Sequence, residues 1–384
     1  MMKVQASVLL EQERDWETVT LELQPPQEQE VLVRVQYAGL CRSDEHRRHG
    51  GAGGGGVYPL IGGHEGSGVV EEVGPGVTRL KPGDHVILSP IPQCGICKFC
   101  SSGRSRMCEL QMNVPTGMLP DGTYRNHLDG RPVGGFCILG TFADHIVVPQ
   151  NSCIKIPDWF PLHAAALLSC GVPTGWGSAE YVGQIRGGDT VMVIGAGGIG
   201  INAVQAAAFL GAGQVIVVDP VPFKREFSTT VGATHTAATI EEGAQLARDL
   251  SHGTGADVTI VTVGVMTPEV SAGALEATGK GGRLVLTATA DVAYDVNVQI
   301  PGNRLSLYDI SLLGNLYGKC NPHYDIPRLA RLYDQGHLKL DELITQRYGV
   351  DQVAQAYADV RDGKVVRAVL EHAHTRCVVV HRGN

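Results

Sequence analysis

One short segment constrains the fold of this chain more than any other. It joins a strand-like run, Thr190–Ile194, to a helix-like run, Ile201–Leu210, through the turn Gly195-Ala-Gly-Gly-Ile-Gly200. A glycine motif alone is weak evidence in a chain with 50 glycines. A strand directly before it and a helix directly after it are typical of a βαβ unit that binds a dinucleotide. The segment therefore predicts a parallel sheet flanked by helices.

The residues of this turn have separate expected roles. Gly195 permits the turn, Gly197 lets the backbone approach a pyrophosphate, and Gly200 allows the helix to pack closely on the sheet. Gly198 and Ile199 complete the turn, and the N-terminus of the following helix supplies positive dipole charge. We therefore expect the cofactor pyrophosphate to bind here.

An acidic residue favours NAD as the dinucleotide. A second strand-like run, Gln214–Val218, ends at Asp219, where a carboxylate can accept hydrogen bonds from the adenosine ribose hydroxyls. Such a carboxylate would repel a 2′-phosphate, although Lys224 and Arg225 nearby weaken this preference for NAD over NADP. Alternatively, Asp219 is an ordinary turn residue before Pro220.

The 384-residue length and the change of pattern along the chain predict two domains. From Val4 to Val148, short strand-like runs alternate with Gly and Pro, as in Val31–Tyr37, Gly68–Val73 and His85–Leu88. From about Pro161, Ala-rich helical segments alternate with Val/Ile strands. A β-rich domain is thus followed by a domain that begins near residue 172, with further strands expected at Val258–Val263, Arg283–Thr287 and Ile310–Leu313.

The C-terminal segment is predicted to contain two helices and a closing strand. Helices are expected at Pro327–Gln335 and Val350–Asp362, the second ending at Gly363 as a C-terminal cap. A closing strand, Val365–Leu370, cannot be placed in either domain from its own sequence. The patch Gly50–Gly56 is expected to be a mobile surface loop.

The charge and the apolar pattern of the sequence argue against nucleic-acid binding and against a membrane span. The net charge of −8 and the lack of a basic stripe argue against nucleic-acid binding. The most apolar stretch, Thr190–Ala212, is interrupted by the glycine turn and so is expected to be a strand, a turn and a buried helix instead of a membrane span. With no signal peptide evident after Met1, we expect a cytoplasmic protein with small-molecule partners.

Four of the ten cysteines form one local pattern. Cys94, Cys97, Cys100 and Cys108 are spaced C-x2-C-x2-C-x7-C. Thiolates at this spacing can converge on one tetrahedral ion, and four of them leave no position open for a substrate. The alternatives are free or redox-active cysteines, or an iron–sulfur cluster. No proline follows Cys108 and there is no second such set, so the pattern favours a structural zinc ion.

Three distant segments each offer a further metal ligand. They contain Cys41, His64-Glu65 and Cys170. Spacing alone does not join them, because a single cysteine is more often a small buried apolar residue than a ligand. The residues by themselves therefore leave this second site open.

Motifs distributed over essentially the whole chain resemble those of the medium-chain zinc-dependent alcohol dehydrogenases. They are GLCRSDEH, GGHEGSGVVEEVGPGVTRLKPGDHV, CGICKFCSSGRSRMC, CGVPTGWGSA, VIGAGGIGINAVQ and DGKVVRAVL. Asp121-Gly-Thr and Leu139-Gly-Thr-Phe142 resemble the long-loop branch, which holds the animal alcohol dehydrogenases and the glutathione-dependent formaldehyde dehydrogenases. Val114–Leu128 and Ile156–Gly177 resemble actinobacterial members, some of which hold their cofactor tightly.

The resemblance implies an α/β architecture with two domains. Residues 1–171 and 317–384 would form a β-rich, GroES-like catalytic domain, and residues 172–316 a doubly wound Rossmann domain that binds NAD. Relatives of this branch form dimers or tetramers through an edge of the cofactor-domain sheet. The resemblance therefore implies a homodimer or homotetramer with Ile310–Leu313 as the candidate edge.

The resemblance also assigns the second metal site. Cys41, His64 and Cys170 match the three ligands of a catalytic zinc ion, which leaves a fourth position for water or alcohol. Glu65 matches a residue that can approach the zinc when substrate is absent, and Asp44 matches one that hydrogen-bonds the ligand histidine. Two zinc ions per chain are thus expected.

Further matches concern the cofactor and a proton relay. Arg42 and Arg367 match contacts to the pyrophosphate, and Lys224 matches one to the adenosine ribose; the alternative for both arginines is a solvated surface charge. Ser43 would take the proton of the alcohol, and the nicotinamide ribose would pass it to His46 near the surface. The alternative for His46 is a plain surface histidine.

These matches imply an enzyme that transfers a hydride between an alcohol, aldehyde or ketone and NAD. Open alternatives are a dehydrogenase that keeps NAD bound and uses another electron acceptor, a thiol-adduct formaldehyde dehydrogenase, and a non-catalytic NAD-binding protein. The segment Gly50–Gly56 departs from the ordered segment of relatives, and Pro90, Phe136 and Cys137 align only loosely with pocket positions. The sequence therefore assigns no individual alcohol.

Overall fold

Three sheets carry the architecture. In the computed structural model, residues 1–51, 57–287 and 298–373 are described. Positions 52–56 of the loop expected to be mobile, Gly50–Gly56, lie outside these residues. The strands are β1 Met2–Leu9, β2 Glu17–Leu23, β3 Glu30–Gly39, β4 Leu60–Ile61, β5 Glu65–Val73, β6 His85–Leu88, β7 Asn126–Leu128, β8 Arg131–Gly135, β9 His145–Pro149, β10 Cys153–Ile156, β11 Thr190–Ile194, β12 Gln214–Val218, β13 His235–Ala237, β14 Ala256–Val261, β15 Thr278–Leu286, β16 Ser311–Gly314, β17 Ile344–Tyr348 and β18 Arg367–Glu371.

Helices lie mainly between the later strands. They are α1 Arg42–Arg48, α2 Lys98–Ser101, α3 Leu162–Leu167, α4 Gly171–Gly177, α5 Gly200–Phe209, α6 Pro222–Thr230, α7 Ile240–Leu250, α8 Pro268–Ala277, α9 Gly302–Tyr308, α10 Pro322–Asp334 and α11 Val353–Arg361. Among the described residues, no helix combines the length and apolar character needed to span a membrane.

The N-terminal part is β-rich, as expected. A closed barrel contains β1, β2, β7, β8 and β4, and a second sheet has the order β10-β6-β5-β3-β18-β17, with β9 also paired to β3. The closing strand that the sequence left unplaced, β18, pairs antiparallel with β3 through Val369 and Gly39. The C-terminal segment therefore returns to the N-terminal part of the chain.

The third sheet is parallel, with the order β13-β12-β11-β14-β15-β16. Numbered from its first strand this order is 3-2-1-4-5-6, the doubly wound arrangement of dinucleotide-binding domains, which confirms the predicted fold class. The predicted bounds of β11 and β12 are confirmed, whereas β14 and β15 begin two and five residues earlier than expected and β16 begins one residue later. The missed start of β15, Thr278–Gly282, contains three glycines and an exposed Lys280, a composition that is uncommon in strands.

Three predictions in the C-terminal segment had inexact bounds. The closing strand, β18, spans Arg367–Glu371 instead of Val365–Leu370. Helix α10 begins at Pro322 instead of Pro327, because Pro322 occupies the first turn and Pro327 lies inside the helix. The second helix starts with a 3₁₀ turn, Val350–Gln352, and becomes α-helical only at Val353. Gly363 follows it with φ of 70°, which is the left-handed conformation expected of the cap.

Helix α4 packs against the turn after β16 through one glycine on each side, Gly177 and Gly318. A Cβ at Gly318 would lie 2.3 Å from the Pro173 oxygen, and a Cβ at Gly177 would lie 2.1 Å from the Gly318 oxygen. Gly318 also has φ of 67°. The chain enters and leaves the parallel-sheet segment at these points, so this contact fixes how the two parts of the molecule meet.

We expect Gly318→Ala to destabilise the protein by about 2 kcal/mol or more, because a side chain there meets backbone and a left-handed φ together. Thermal unfolding followed by circular dichroism measures the change as a midpoint lowered by several degrees. Gly314→Ala is the matched control, since a Cβ at Gly314 meets nothing within 4 Å. Equal midpoints for the two variants would contradict the packing argument.

Candidate active site

The three distant segments converge on one buried group of ligands. The ligand atoms of Cys41, His64, Glu65 and Cys170 all lie within 4.8 Å of one another. The convergence comes from tertiary pairing, because Gly39 of β3 is the register partner of Glu65 of β5. The Ser169 hydroxyl meets the same strand, 2.9 Å from the Gly66 nitrogen. A fold-level contact thus supplies what sequence spacing could not.

Asp44 orients the imidazole of His64. Its Oδ2 lies 3.1 Å from His64 Nδ1, and its Oδ1 accepts a hydrogen bond of 2.8 Å from the Gly63 nitrogen. Burial lowers the pKa of His64, but the charges of Asp44 and the two nearby thiols outweigh it, so the pKa is raised well above its ordinary value. With Nδ1 directed at the carboxylate, Nε2 is the nitrogen left for a metal.

The two thiols of this group are chemically unequal. A hydrogen bond between them lowers the pKa of Cys41 well below its ordinary value and raises that of Cys170. The Tyr357 hydroxyl donates to the Cys41 oxygen at 3.2 Å, which holds the backbone of this ligand. Two sulfur atoms and one imidazole nitrogen suit Zn²⁺, and three such ligands leave a coordination position for a substrate oxygen.

Glu65 connects this group to the glycine turn. One oxygen accepts a hydrogen bond of 3.0 Å from the Gly171 nitrogen, and the other pairs with Arg367 Nη2. Burial raises the pKa of Glu65. Arg367 is itself only 4% exposed, and a Cβ at Gly198 would lie 2.6 Å from its Nη1. The expected alternative of a solvated surface charge is therefore wrong for Arg367, because the pair is enclosed.

The two residues of the expected proton relay lie on α1. Ser43 Oγ is 3.6 Å from Cys41 Sγ, so its hydroxyl is next to the metal ligands. His46 is three residues further, on the same side of the helix. It is 8% exposed, so the alternative of a plain surface histidine is wrong, since Asp44, Glu45 and Arg47 of this helix are buried with it.

The four local cysteines also converge. Their sulfur atoms lie within 4.8 Å of one another. Backbone N–H groups of Cys100 and Glu109 lower the pKa of Cys97 to about 6, whereas burial raises that of Cys108 to about 12. Backbone N–H groups of Cys94 and Cys97 point at the sulfurs of Cys108 and Cys94, each at 3.3 Å. Among the described residues, no other His, Cys, Asp or Glu ligand atom groups with these four thiols, which fits a closed zinc site.

The glycine turn has the geometry expected from its sequence. Gly195 has φ of 98°, and a Cβ at Gly200 would lie 1.8 Å from the Gly195 oxygen. A Cβ at Gly197 meets nothing within 4 Å, so the backbone here faces open space. The N-terminus of α5 begins directly after Ile199, which places positive dipole charge at the turn.

The acidic residue after β12, Asp219, accepts a hydrogen bond from the glycine turn. Asp219 is 6% exposed and accepts hydrogen bonds from the Ala196 nitrogen at 2.8 Å and the Val221 nitrogen at 2.9 Å. Arg225 folds back, and its Nη1 donates to the main-chain carbonyl oxygen of Asp219 at 2.7 Å, while Lys224 lies in the first turn of α6. Asp219 therefore connects two turns at the end of the parallel strands.

Arg42 reaches across to the parallel sheet. It is exposed, but a Cβ at Gly264, in the loop after β14, would lie 2.6 Å from its Nε. This position is at the carboxyl ends of the parallel strands, where open α/β sheets bind their ligands. Arg42 and Arg367 thus approach the nucleotide-binding end of the sheet from the β-rich part.

The wall around the metal ligands includes Phe136, which, like Cys137, aligned only loosely with pocket positions, and the turn that follows it was not predicted. Phe136 stands edge-on to His64, with ring centroids 5.2 Å apart. Cys137 and Ile138 follow with φ of 55° and 64°, a strained conformation for residues other than glycine. Nothing in the letters Phe-Cys-Ile indicates a left-handed backbone, so no sequence signal could have found this turn.

We expect Gly200→Ala and Gly197→Ala to fail in different ways. The first puts a methyl group into backbone and lowers the yield of folded protein or its unfolding midpoint. The second folds normally but weakens NAD binding by roughly tenfold or more, because the methyl group occupies the space of the pyrophosphate. Calorimetric titration with NAD and thermal unfolding separate the two effects. Normal NAD affinity in Gly197→Ala would exclude this turn as the pyrophosphate site.

Comparison with known families and proteins agrees with this geometry. The alcohol dehydrogenase GroES-like domain matches residues 27–158, and the zinc-binding dehydrogenase family matches residues 198–335. An NDMA-dependent alcohol dehydrogenase of Amycolatopsis methanolica is 47% identical over 374 residues, which are 97% of this chain and 100% of that protein. A putative alcohol dehydrogenase D of Mycobacterium tuberculosis is 48% identical over 371 residues, again 97% and 100% of the two chains.

A solved alcohol dehydrogenase structure also matches the fold of this chain over nearly its whole length. The benzyl alcohol dehydrogenase of Acinetobacter calcoaceticus superposes with a TM-score of 0.90 at 28% identity, covering 97% of this chain and 100% of that one. The matches confirm the GroES-like and Rossmann architecture and the expectation of a zinc- and NAD-dependent alcohol dehydrogenase. The chain therefore belongs to the zinc-dependent alcohol dehydrogenases of the medium-chain family.

Proposed function

We propose that Cys41, His64 and Cys170 hold the catalytic zinc ion of an enzyme that oxidises an alcohol with NAD. The observation that carries this proposal is the buried ligand group, whose atoms lie within 4.8 Å of one another and which is joined through Glu65 and Arg367 to the glycine turn. Such a zinc ion lowers the pKa of an alcohol hydroxyl toward neutrality, and NAD accepts the hydride. Cys94, Cys97, Cys100 and Cys108 hold a second, structural zinc ion.

The protein's own groups manage the proton and the ligand geometry. Ser43 Oγ, next to the Cys41 sulfur, would take the proton of the alcohol, and His46 would receive it by way of the ribose of a bound nicotinamide cofactor. Asp44 fixes the ring of His64. Glu65 would be able to approach a bound zinc ion when no substrate is present, which its position among the ligand atoms supports.

The cofactor lies at the carboxyl ends of the parallel strands. The pyrophosphate binds at Gly195–Gly200, with Arg42 and Arg367 as its cations. Asp219 accepts from the adenosine ribose, with Lys224 beside it. The positions of Asp219 at the end of β12 and of both arginines near that edge support this arrangement.

We propose the domain boundaries expected from the sequence, with residues 1–171 and 317–384 as the catalytic domain and 172–316 as the NAD domain. The pairing of β18 with β3 supports the discontinuous catalytic domain. Strand β16 ends the parallel sheet, which supports edge pairing in a homodimer or homotetramer. The two thiol sites need reduced cysteines, which supports a cytoplasmic location.

We expect two zinc ions per chain in the wild type and one zinc ion per chain in each of two variants, Cys41→Ser and Cys108→Ser. Cys41→Ser loses the catalytic zinc and alcohol oxidation with little change in unfolding temperature. Cys108→Ser loses the structural zinc, and its unfolding midpoint falls because that ion contributes folding free energy. Metal analysis with thermal unfolding measures both effects.

Cys153→Ala is the matched control for these variants. It removes a buried thiol of β10 that belongs to neither site, so two zinc ions should remain. Full alcohol oxidation in Cys41→Ser would rule out the zinc mechanism.

A second candidate function is an enzyme that keeps NAD bound and passes electrons to another acceptor. The observation that favours it is the 47% identity over the full length of an NDMA-dependent relative. The buried Arg367, held by Glu65 beside the glycine turn, is compatible with slow release of the pyrophosphate.

Cofactor retention separates the two candidates. For the second one, we expect protein purified without added NAD to hold about one nicotinamide per chain, to release no free NADH with an alcohol, and to turn over only when NDMA is added. Extraction of the cofactor measures the nicotinamide bound per chain. Absorbance at the NADH band after filtration measures the NADH released into solution. Empty protein that produces free NADH from added NAD would select the first candidate.

A further inference from the structure

A buried tyrosine connects the turn after β16 to a ligand of the proposed catalytic zinc ion. Tyr317 is 5% exposed, and its hydroxyl donates a hydrogen bond of 2.6 Å to the main-chain oxygen of Ser169. Ser169 directly precedes Cys170 in the chain. The two partners are 148 residues apart in sequence, so this bond joins the two points where the chain enters and leaves the parallel-sheet segment.

Ser169 in turn holds Cys170 against the strand that begins at Glu65. Ser169 is fully buried, and its hydroxyl accepts a hydrogen bond of 2.9 Å from the Gly66 nitrogen and donates one of 3.0 Å to the Gly66 oxygen. Gly66 follows Glu65, whose carboxylate lies within the ligand group. The Ser169 backbone therefore limits where the Cys170 sulfur lies relative to the other ligands, and Tyr317 limits where that backbone lies.

The backbone of the turn that carries Tyr317 is strained. Tyr317, Gly318 and Lys319 adopt left-handed φ values of 55°, 67° and 55°. Only the glycine adopts such a value without a steric cost. A tyrosine and a lysine in this conformation persist only where the surrounding structure holds them, and such residues cluster at functional sites. The strain therefore indicates that the direction of the Tyr317 side chain matters for function.

Contacts on two sides hold this turn in place. Arg106, from the segment of the four local cysteines, donates from its Nη1 to the Lys319 oxygen at 3.4 Å. The ring of Tyr317 packs with Ile91, and Cys170 packs against the same apolar group. The Tyr317 hydroxyl thus makes its hydrogen bond within packed surroundings, which restrict the movement of the ring relative to Cys170.

We propose that Tyr317 is a positioning residue for the catalytic zinc ion, because its hydroxyl holds the Ser169–Cys170 segment where the Cys170 sulfur completes the ligand set. This inference rests on the proposed function and adds a residue to that site. Tyr317 acts through Cys170 and not on the alcohol. Groups that orient metal ligands without binding the metal change metal affinity by about tenfold or more when they are removed. Loss of the hydroxyl should therefore loosen this zinc ion.

Tyr317→Phe tests the proposal, because it removes the hydroxyl and keeps the ring. Release of zinc to the chromogenic chelator pyridylazoresorcinol is followed in wild type, in Tyr317→Phe and in Cys41→Ser. The release phase that is missing in Cys41→Ser belongs to the catalytic zinc. We expect Tyr317→Phe to release this zinc roughly fivefold faster or more, and to release the structural zinc at the wild-type rate. For the alkanol that wild type oxidises fastest, kcat should fall by a similar factor while KM changes by less than about threefold.

A spectrum of bound Co²⁺ separates positioning from a general loss of stability. Wild type and Tyr317→Phe are loaded with Co²⁺, and the spectrum of Co²⁺-loaded Cys41→Ser is subtracted from each. The difference contains the bands of the catalytic site, whose positions depend on the geometry of the ligands. We expect these bands to shift in Tyr317→Phe, which a lower unfolding temperature alone would not cause.

Tyr181→Phe is the matched control. Tyr181 packs against the same apolar group as Cys170, but its hydroxyl donates to Asp325 at 2.5 Å instead of to the ligand segment. Its loss should lower the unfolding midpoint and leave zinc release, Co²⁺ bands and kcat at their wild-type values. Ser169→Ala removes the next hydroxyl on the path and should behave like Tyr317→Phe, so it carries the same test if Tyr317→Phe does not fold.

The outcomes separate this inference from the proposed function. Wild-type zinc release and Co²⁺ bands in Tyr317→Phe, or equal changes in Tyr181→Phe, overturn the Tyr317 proposal while the catalytic zinc stands. If wild type holds no zinc beyond the ion that remains in Cys41→Ser, the proposed function fails and the inference fails with it.

Discussion

The buried pair of Glu65 and Arg367 is the interaction on which the site depends. Removing two charges from water is costly, and the cost is offset only when their remaining groups are also satisfied. Here the Gly171 nitrogen donates to the second oxygen of Glu65, whereas the buried Nε of Arg367 has no hydrogen-bond partner among the described residues. The guanidinium also occupies space that a Cβ at Gly171 or Gly198 would need. One ion pair thus fixes the metal ligands, the start of α4 and the glycine turn together.

The sequence predicted the features in which chemistry is local. The four cysteines lie within one short segment, so their spacing alone limits them to a common ion, and the structure brings their sulfurs together. The glycine turn lies between a strand and a helix that are adjacent in sequence, and its Gly195 and Gly200 are constrained as expected. Strand bounds were least accurate for β15, because its first residues, Thr278–Gly282, include three glycines, which are uncommon in strands.

Residues brought together by pairing between distant strands could not be predicted from spacing. Cys41 and His64 meet because β3 and β5 are neighbours in a particular register, and only the family resemblance connected them beforehand. Arg47 stands between His46 and Arg48 in the sequence, where a solvated charge would be ordinary, yet it is buried. The left-handed Cys137 and Ile138 had no sequence signal, since such conformations in residues other than glycine are imposed by tertiary packing.

The return of β18 to the first sheet has a consequence for biosynthesis. Glu65 and Arg367 are 302 residues apart, and the arginine begins the last strand that the described residues form. During translation, the metal-binding segments are synthesised long before Arg367. The Glu65 carboxylate therefore remains in an incomplete sheet without its ion-pair partner. Contacts of such high sequence separation form slowly. The site is therefore completed only after synthesis of nearly the whole chain, and a nascent chain that lacks β18 carries an exposed edge on β3.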